Sequence, residues 1–285
     1  MGIREDSEAR GFGDKANLQD RPKVLVKLPP VKDIKRIIGA LIYGGACHGL
    51  FGLGVGAMIL SLYTGLIFSF GAVPWPWAAL PNLFLLLQFP LLHSFLLGKR
   101  GQNVLACLAP FGDGKRLATT TYAIVASVQL FVLFALWSPT GIVLFKAEGP
   151  WFFVMSGLFS LSWLLLMKSI LDAGPLLQSG ALGWLAELRN IAPKFPDMPE
   201  TGLFKIVRQP IYVAFSLTLW TPPIWTVDQL IIAVTFTLYC IVAPLRKEKR
   251  FLKIYGTRFR AYQARVPYWV PFLPAKQDSH ASENA

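Results

Sequence analysis

The sequence predicts an all-α membrane protein, a bundle of about six transmembrane helices with an amphipathic helix on the cytoplasmic side near the C-terminus. The first observation is composition: 54% of the 285 residues are hydrophobic and only 15% are charged, whereas soluble domains carry about 25% charged residues. The second is a positive mean hydropathy of +0.47. The third is the recurrence of apolar runs close to the roughly 20 residues that cross a bilayer. Together they predict a chain that crosses a membrane several times.

Four apolar runs occupy the first part of the chain. Residues 1–33 are polar and mixed in charge, and they are expected to form a disordered cytoplasmic tail with no cleavable signal peptide. A four-helix transmembrane region is predicted over residues 34–170, with individual spans at 37–71, 79–98, 117–137 and 150–170. Between the spans, 101–116 is expected to be a loop or amphipathic connector, and 138–149 a short loop.

The C-terminal part is predicted to fold as a separate unit. A Pro-rich cytoplasmic connector covers 171–206. A helical hairpin and a C-terminal helix are expected over 207–273, with short spans at 207–221 and 225–245 joined by a proline turn, and 274–285 is a tail. Aromatic and aliphatic residues recur at helical spacing after Leu245, with Lys and Arg between them, which predicts an amphipathic helix at the membrane surface.

The basic residues predict the orientation of the bundle. If the N-terminus is cytoplasmic, the outer loops are 71–78, 138–149 and 222–224, and Lys146 is the one residue of the 28 Lys and Arg that lies in them. Positive charge accumulates on the cytoplasmic side of membrane proteins. The net charge of +12 is therefore explained by topology and by contact with anionic lipid headgroups, and nucleic-acid binding is not predicted.

Glycine and cysteine spacing gives structural predictions only. The pairs Gly45–Gly49 and Gly52–Gly56 have the four-residue spacing that lets helix backbones approach closely, so they are expected at a helix contact. The three cysteines are far apart and form neither a CxxC nor a zinc spacing, and common hydrolase, protease and nucleotide-binding motifs are absent. No metal site is predicted.

Three polar positions are candidates for chemistry. Glu248 has apolar side chains at its i±3 and i±4 positions, so it lacks a helical ion-pair partner; it is either an interfacial carboxylate paired with a tertiary Arg or a group that faces a site. Arg208 precedes Gln209 and Pro210 at the start of a short span, where it either snorkels to the interface or helps a helix N-terminus bind an anion. His93 is an ionisable group near the end of the second span and is either a packing residue or a ligand-facing one.

The C-terminal block resembles the membrane methyltransferases related to isoprenylcysteine carboxyl methyltransferase, and most closely the branch of NnrU-like proteins and methanethiol S-methyltransferase. The branch pattern is matched at Gly202, Phe204, Val207, Arg208, Pro210, Tyr212, Trp220, Pro223, Glu248, Leu252, Tyr255, Gly256, Phe259, Tyr262, Val266, Pro267 and Pro271. Segments around His93, around Thr120–Thr121–Tyr122 and at Trp137–Ser138–Pro139 resemble the branch further upstream. The resemblance covers residues 80–272.

This resemblance implies a bacterial inner-membrane enzyme with cytoplasmic termini that transfers a methyl group from S-adenosylmethionine to a small or lipophilic acceptor, with a thiol favoured. It implies catalytic roles for Glu248 and Arg208 and a substrate-side location for His93 and Trp220. The residues it implies for cofactor binding are Gly202, Phe204, Val207, Gln209, Pro210, Tyr212, Tyr255, Tyr262, Val266 and Pro267.

Two departures from the pattern narrow the expected function. Gln209 stands where the branch usually has His, so this side chain can form hydrogen bonds but cannot act as a base. Pro244 stands where prenylcysteine methyltransferases have Arg, which argues against a prenylcysteine acceptor. The alternative is an NnrU-like haem-binding isomerase or a non-catalytic membrane maturation factor, and the loss of the motif His makes the haem protein less favoured.

Overall fold

A computed structural model describes residues 31–271 of the chain. Within this range there are ten α-helices, one 3₁₀ turn at Gly202–Lys205 and two short strands. The helices are α1 (Val31–Tyr63), α2 (Ala79–Leu96), α3 (Lys99–Leu108), α4 (Gly114–Ala135), α5 (Pro150–Ala173), α6 (Pro175–Gln178), α7 (Ala181–Arg189), α8 (Pro210–Trp220), α9 (Val227–Tyr255) and α10 (Thr257–Arg265), and the strands are β1 (Val143–Lys146) and β2 (Ile224–Thr226). Residues 1–30 of the predicted tail and all of 274–285 lie outside the described range, and residues 31–33 belong to α1.

The predicted class, a polytopic helical membrane bundle, is confirmed. Five helices of the described chain, α1, α2, α4, α5 and α9, are long and apolar enough to cross a membrane. The remaining predicted span, the fifth along the chain at 207–221, corresponds to α8, which is apolar but has only 11 residues. The two ends of the bundle are named here. The basic end is the one at which α2 and α9 finish and α4 starts, and the strand end is the one that carries β1 and β2.

The first helix ends earlier than the apolar run predicts. The expected span was 37–71, but α1 stops at Tyr63, and the next turn contains Gly65 and Leu66 with φ of 63° and 61°. Left-handed backbone of this kind terminates helices. The turn is held at the strand end because the Thr226 hydroxyl donates to the Gly65 carbonyl at 2.7 Å. Hydropathy alone does not register this stop, since both residues are compatible with a membrane span.

Two of the three predicted outer loops contribute to a small antiparallel sheet. β1, in the 138–149 loop, pairs with β2, in the α8–α9 connection, with Phe145 opposite Trp225 and Lys146 opposite Ile224. The Ala147 amide extends the pairing by donating to the Pro223 carbonyl at 2.8 Å. The sheet fixes the start of α9 relative to α5.

α9 continues without interruption past Leu245, where the sequence predicted the span to end. It runs to Tyr255, and Gly256, at φ 51°, separates it from α10. Pro244 lies inside α9 and cannot donate to the Cys240 carbonyl. Two residues after α10 supply donors at this point: the Trp269 indole donates to the Cys240 carbonyl at 3.4 Å, and the Tyr268 hydroxyl donates to the Ile241 carbonyl at 2.7 Å. The proline kink is thus a docking point for the C-terminal segment.

The glycines that bring helices together are not the pairs the spacing predicted. Added Cβ atoms at Gly45, Gly49, Gly52 and Gly56 would meet nothing within 4 Å, so these glycines do not lie at a contact within the described chain. The close approach is at Gly54, where the Ser127 backbone of α4 occupies the space of a side chain. Within residues 31–271, the four-residue spacing therefore marks the helix that makes the close approach but not the glycine that makes it.

The connector after α5 is helical and packed at the basic end. α7 lies against α1 and α4. The Thr120 hydroxyl of α4 donates to the Gly180 carbonyl at 2.7 Å and accepts from the Trp184 amide at 2.9 Å. Buried Glu187 pairs with Arg116 at 3.5 Å. These contacts attach the connector to α1 and α4 at the basic end.

Candidate functional site

The centre of the candidate site is the carboxylate of Glu248, which is buried on α9 at the basic end. Three side chains donate to it. The Arg208 Nε lies 2.9 Å from Oε1, the Gln209 Nε2 lies 2.8 Å from Oε1, and the Gln263 Nε2 lies 2.9 Å from Oε2. Of the two interpretations left open for Glu248, the structure shows the pairing with a tertiary Arg, and this pairing occurs inside the protein.

Arg208 connects the approach to α8 with the end of α10. Its Nη1 donates to the Val266 carbonyl at 2.6 Å and to the Gln263 carbonyl at 3.1 Å. Its backbone amide donates to the Pro267 carbonyl at 2.9 Å. A planar guanidinium has five N–H donors in a rigid fork, so it can reach a carboxylate on one edge and carbonyls on another, whereas the three donors of an ammonium group all lie on one nitrogen. Arg208 does not snorkel to solvent but holds three segments together.

Gln209 occupies the N-cap position of α8 and is 2% exposed. Its side-chain oxygen, Oε1, is buried and has no hydrogen-bond partner within residues 31–271. Pro210 is the first helical residue, and the amides of Ile211 and Tyr212 lie in the first turn, where no intrahelical acceptor exists. The start of α8 therefore presents an unpaired acceptor beside free donors and the positive end of the helix dipole.

Aromatic residues form one wall of this region. Phe204 is buried in the 3₁₀ turn, and its carbonyl accepts from the Tyr262 hydroxyl at 2.7 Å. Lys247 places its ammonium 5.8 Å from the centre of the Phe204 ring and 5.4 Å from that of Phe251. Burial raises the pKa of Tyr262 and raises that of Tyr268 to about 12. Both phenols are therefore protonated at neutral pH and act as hydrogen-bond donors.

The last part of the connector lies across α10 and fixes the 3₁₀ turn. Arg258 of α10 contacts Asp197 at 2.7 Å and Glu200 at 2.8 Å, and its hydrogen bond holds the pKa of the Asp197 carboxyl below the usual range. Gly202 has φ of 59°, and the carboxylate of Asp172 fills the space that a Cβ there would need. Glycine is therefore required at this position on two grounds, backbone conformation and space.

His93 lies on α2 in a second polar group at the basic end. Its Nε2 is hydrogen-bonded to the Tyr122 hydroxyl at 2.6 Å, and its ring stacks on Phe89 with centroids 4.9 Å apart. Nδ1 is buried and has no partner among the described residues. Next to it, the hydroxyls of Ser94 and Tyr239 are 3.3 Å apart.

Trp220 is not brought into this group. It ends α8, whereas Gln209 precedes the first residue of that helix, so about 16 Å of helix separates them. Its indole donates to Thr237 at 2.8 Å, and its ring lies 5.5 Å from that of Trp225. The substrate role of Trp220 stays a prediction that no contact of the described chain supports.

The structure gathers most of the other predicted residues around Glu248. Arg208 and Gln209 contact the carboxylate directly, and the remaining predicted positions that belong to the same segments are Gly202, Phe204, Val207, Pro210, Tyr212, Tyr255, Tyr262, Val266 and Pro267. Sequence reasoning missed Gln263 and the Tyr268–Trp269 pair. The pair had a signal, two aromatic residues directly after Val266–Pro267, but Gln263 had none. Within residues 31–271, no group of three His, Cys, Asp or Glu side chains is arranged to hold a metal ion.

Fold and site together define a class: a polytopic helical membrane protein with a buried, hydrogen-bonded carboxylate and a free helix N-terminus at one end of the bundle. The chain is 30% identical to the methanethiol S-methyltransferase of Pseudomonas deceptionensis over 208 residues, which are 72% of this chain and 78% of that relative. It is 26% identical to the methanethiol S-methyltransferase of Pseudomonas sp. (strain GM41(2012)) over 240 residues, 82% of this chain and 90% of the relative. The enzyme of the same name from Crocosphaera subtropica is 28% identical over 207 residues, 70% and 77% of the two chains.

The chain belongs to the methanethiol S-methyltransferase family. It is therefore a membrane methyltransferase, and the resemblance seen in the sequence is confirmed. No family model matches the chain, and no solved structure matches it significantly. The similarity to named S-methyltransferases does not favour the NnrU-like haem isomerase or the maturation factor.

Proposed function

We propose that this protein methylates a small thiol, of which methanethiol is the first candidate, with S-adenosylmethionine as methyl donor bound at the start of α8. The observation that carries the cofactor assignment is the buried Oε1 of Gln209, which has no partner and lies beside a helix N-terminus. The thiol substrate rests on the names of the relatives, which are methanethiol S-methyltransferases.

The charges at the start of α8 suit the amino-acid end of the cofactor. That end has a carboxylate, which helix N-termini bind through their free amides, and an ammonium group, which needs an acceptor. Gln209 Oε1 supplies such an acceptor in a buried position. Gln209 stands where the branch usually has His. Because its Nε2 donates to Glu248, the side-chain amide is fixed against rotation and Oε1 points away from the carboxylate.

Glu248 and Arg208 fit a positioning role better than direct contact with the reacting atoms. Both carboxylate oxygens of Glu248 already accept hydrogen bonds, from Arg208, Gln209 and Gln263. We assign these residues the task of fixing α8 against α9 and α10, with 207–273 as the unit that forms the cofactor site.

The remaining predicted residues would line the rest of the cofactor pocket. Phe204 and Tyr262 are buried and joined by a hydrogen bond, so they give the wall a fixed shape, and Tyr212 and Tyr255 offer flat apolar faces. When bound, the cofactor supplies an electrophilic methyl group. The chain holds the thiol in line with that methyl group and excludes water, and such alignment is a large part of the rate in bimolecular transfers.

The orientation of the bundle supports access by a soluble methyl donor. The site lies at the basic end, and 28 − 1 = 27 of the Lys and Arg residues lie on that side of the predicted topology or at its boundary, Lys146 being the exception. By the positive-inside rule we expect both termini and the site on the cytoplasmic side, and a bacterial inner membrane is the proposed location.

The direct test is methyl transfer by the purified protein in detergent or nanodiscs. With S-adenosylmethionine carrying a deuterated methyl group and methanethiol as acceptor, mass spectrometry of the headspace is expected to show dimethyl sulfide with one labelled methyl. Glu248→Gln is expected to reduce the product, and a panel of carboxylate and hydroxyl acceptors is expected to remain unmethylated. Absence of labelled product from every thiol offered, with correctly folded protein, would overturn the proposal.

A further inference from the structure

Methylation of a thiol releases a proton, and the site needs a group to take it. A thiol sulfur reacts as the thiolate, so its proton must leave at or before the transfer. In a buried site the natural acceptor is a side chain within hydrogen-bond reach. This requirement holds only if the protein acts on a thiol, so the inference rests on the proposed function.

The groups around Glu248 cannot take this proton. The Glu248 carboxylate is occupied by three donors, and the Gln209 amide is not a base. Asp228, the buried carboxylate at the start of α9, lies at the strand end and accepts from Trp137 at 3.0 Å and from the Thr140 hydroxyl at 2.6 Å.

Two histidines lie within residues 31–271, and they differ in environment. His48 is exposed, and its Nε2 accepts from the Trp184 indole at 3.2 Å. His93 has Nε2 fixed by Tyr122 and keeps a buried Nδ1 with no partner. Stacking on Phe89 prevents the ring from turning to satisfy that atom elsewhere. His93 therefore has one nitrogen held and the other available.

The surroundings of His93 connect it with the start of α8. The Ser94 hydroxyl, next to His93 in α2, lies 3.3 Å from the Tyr239 hydroxyl of α9. Two residues further along α9, a backbone carbonyl accepts from the Tyr268 hydroxyl at 2.7 Å. The Arg208 guanidinium lies 5.5 Å from the centre of the Tyr268 ring. Contacts through α9 thus join the segment that carries His93 to the approach to α8.

We propose that His93, positioned by Tyr122, accepts the proton of the thiol substrate. In the neutral tautomer that serves this step, Nε2–H donates to the Tyr122 oxygen and Nδ1 carries the lone pair. The S–H bond breaks and its proton goes to Nδ1. The sulfur electron pair forms the new S–CH₃ bond while the S–CH₃ bond of the sulfonium breaks, and that electron pair stays on the departing sulfide. One positive charge moves from the sulfonium to the imidazolium, so the net charge of the buried site does not change.

The test compares thiols of different acidity in wild type, His93→Gln and Tyr122→Phe. Gln can still hydrogen-bond Tyr122 but cannot take a proton. With methanethiol, His93→Gln is expected to lose about 10²- to 10⁴-fold in kcat/KM, the usual range for a general base. With an aromatic thiol that is already ionised at neutral pH, the same variant is expected to approach wild-type activity.

The pH profile separates a base from a merely structural residue. Wild-type kcat/KM for methanethiol is expected to rise and then level off as the histidine loses its proton, whereas His93→Gln is expected to follow thiolate concentration. In Tyr122→Phe, kcat/KM is still expected to level off with pH, but the midpoint of the rise should shift. This variant provides the test if His93→Gln does not fold. The titratable and charged groups on the helices packed around His93, against which the pH profile must be compared, are Tyr122 on α4 and Tyr239 and Arg250 on α9.

Failure of this inference differs from failure of the proposed function. If wild type neither binds S-adenosylmethionine nor methylates any thiol, the proposed function is refuted. If wild type is active but His93→Gln retains both its rate and its pH profile with methanethiol, or loses activity equally with ionised thiols, the proton-acceptor role is refuted while the function stands.

Discussion

Removal of the Arg208 guanidinium is expected to destabilise the basic end strongly. The Arg208 and Glu248 side chains are 10% and 9% exposed, so solvent does little to screen their interaction. In Arg208→Ala the Glu248 carboxylate stays buried without a cation, and the carbonyls of Gln263 and Val266 lose their donor. Breaking a buried pair by removing one partner costs about 3–5 kcal/mol. At about 2–4 °C per kcal/mol, the melting temperature should fall by about 6–20 °C.

The double variant Arg208→Ala/Glu248→Gln decides whether the buried charge is the cause. Because it removes the carboxylate charge together with the guanidinium, it should melt above Arg208→Ala alone, and the two single effects should not add. Arg208→Lys is expected to fall between wild type and Arg208→Ala, since one ammonium cannot serve the carboxylate and both carbonyls.

The assay is thermal unfolding of the purified protein in detergent, followed by size-exclusion of the soluble fraction. Arg258→Gln, which breaks the ion pairs of an exposed arginine with Asp197 and Glu200, is the matched control and should leave the melting temperature unchanged within error, since exposed pairs contribute little. The buried-pair reasoning would be wrong if Arg208→Ala had the same melting temperature as Arg258→Gln. It would also be wrong if the fall in melting temperature of the double variant equalled the sum of the falls in the two single variants.

Three further predictions concern the walls of the site and the opposite end of the bundle. Gly202→Ala is expected to lower stability by at least about 1–2 kcal/mol from left-handed backbone alone, with an added clash against Asp172, and thermal unfolding measures it. Tyr262→Phe should cost about 1–3 kcal/mol because the buried Phe204 carbonyl loses its donor, and a melting temperature equal to wild type would argue against that contact. Asp228→Asn should cost about 1.5–3 kcal/mol through weaker hydrogen bonds to charge yet leave cofactor affinity intact, so a loss of affinity in calorimetry would contradict the separation of the two ends.

Much of the candidate site could be predicted because its physical signals are local. The apolar side chains around Glu248 left it without a helical partner, and the structure supplies one in Arg208, 40 residues earlier. Pro210 at the first helical position marked the start of α8, and the structure begins that helix there. These features depend on residues that are close together in the sequence, so they can be recognised from one sequence alone.

Other features depend on contacts between distant segments and left little trace in the sequence. The pairing of β1 with β2 requires two loops about 80 residues apart to meet at the strand end. The role of Trp269 depends on the Cys240 carbonyl, which Pro244 leaves without a helical donor, and Tyr268 donates to the next carbonyl of α9, that of Ile241. The contact of Gly54 with α4 is set by how the helices turn towards each other, so glycine spacing alone pointed to a different face.

The central claim, that a methyl donor binds at the start of α8, is tested most directly by calorimetry with S-adenosylmethionine. Wild type should bind, and Gln209→Leu, which removes the buried unpaired oxygen, should bind about 10- to 100-fold more weakly, as expected for loss of a hydrogen bond to a charged group worth about 1.5–3 kcal/mol. Asp228→Asn at the strand end should bind like wild type. No binding by folded wild-type protein, or equal affinity of Gln209→Leu and wild type, would contradict the claim.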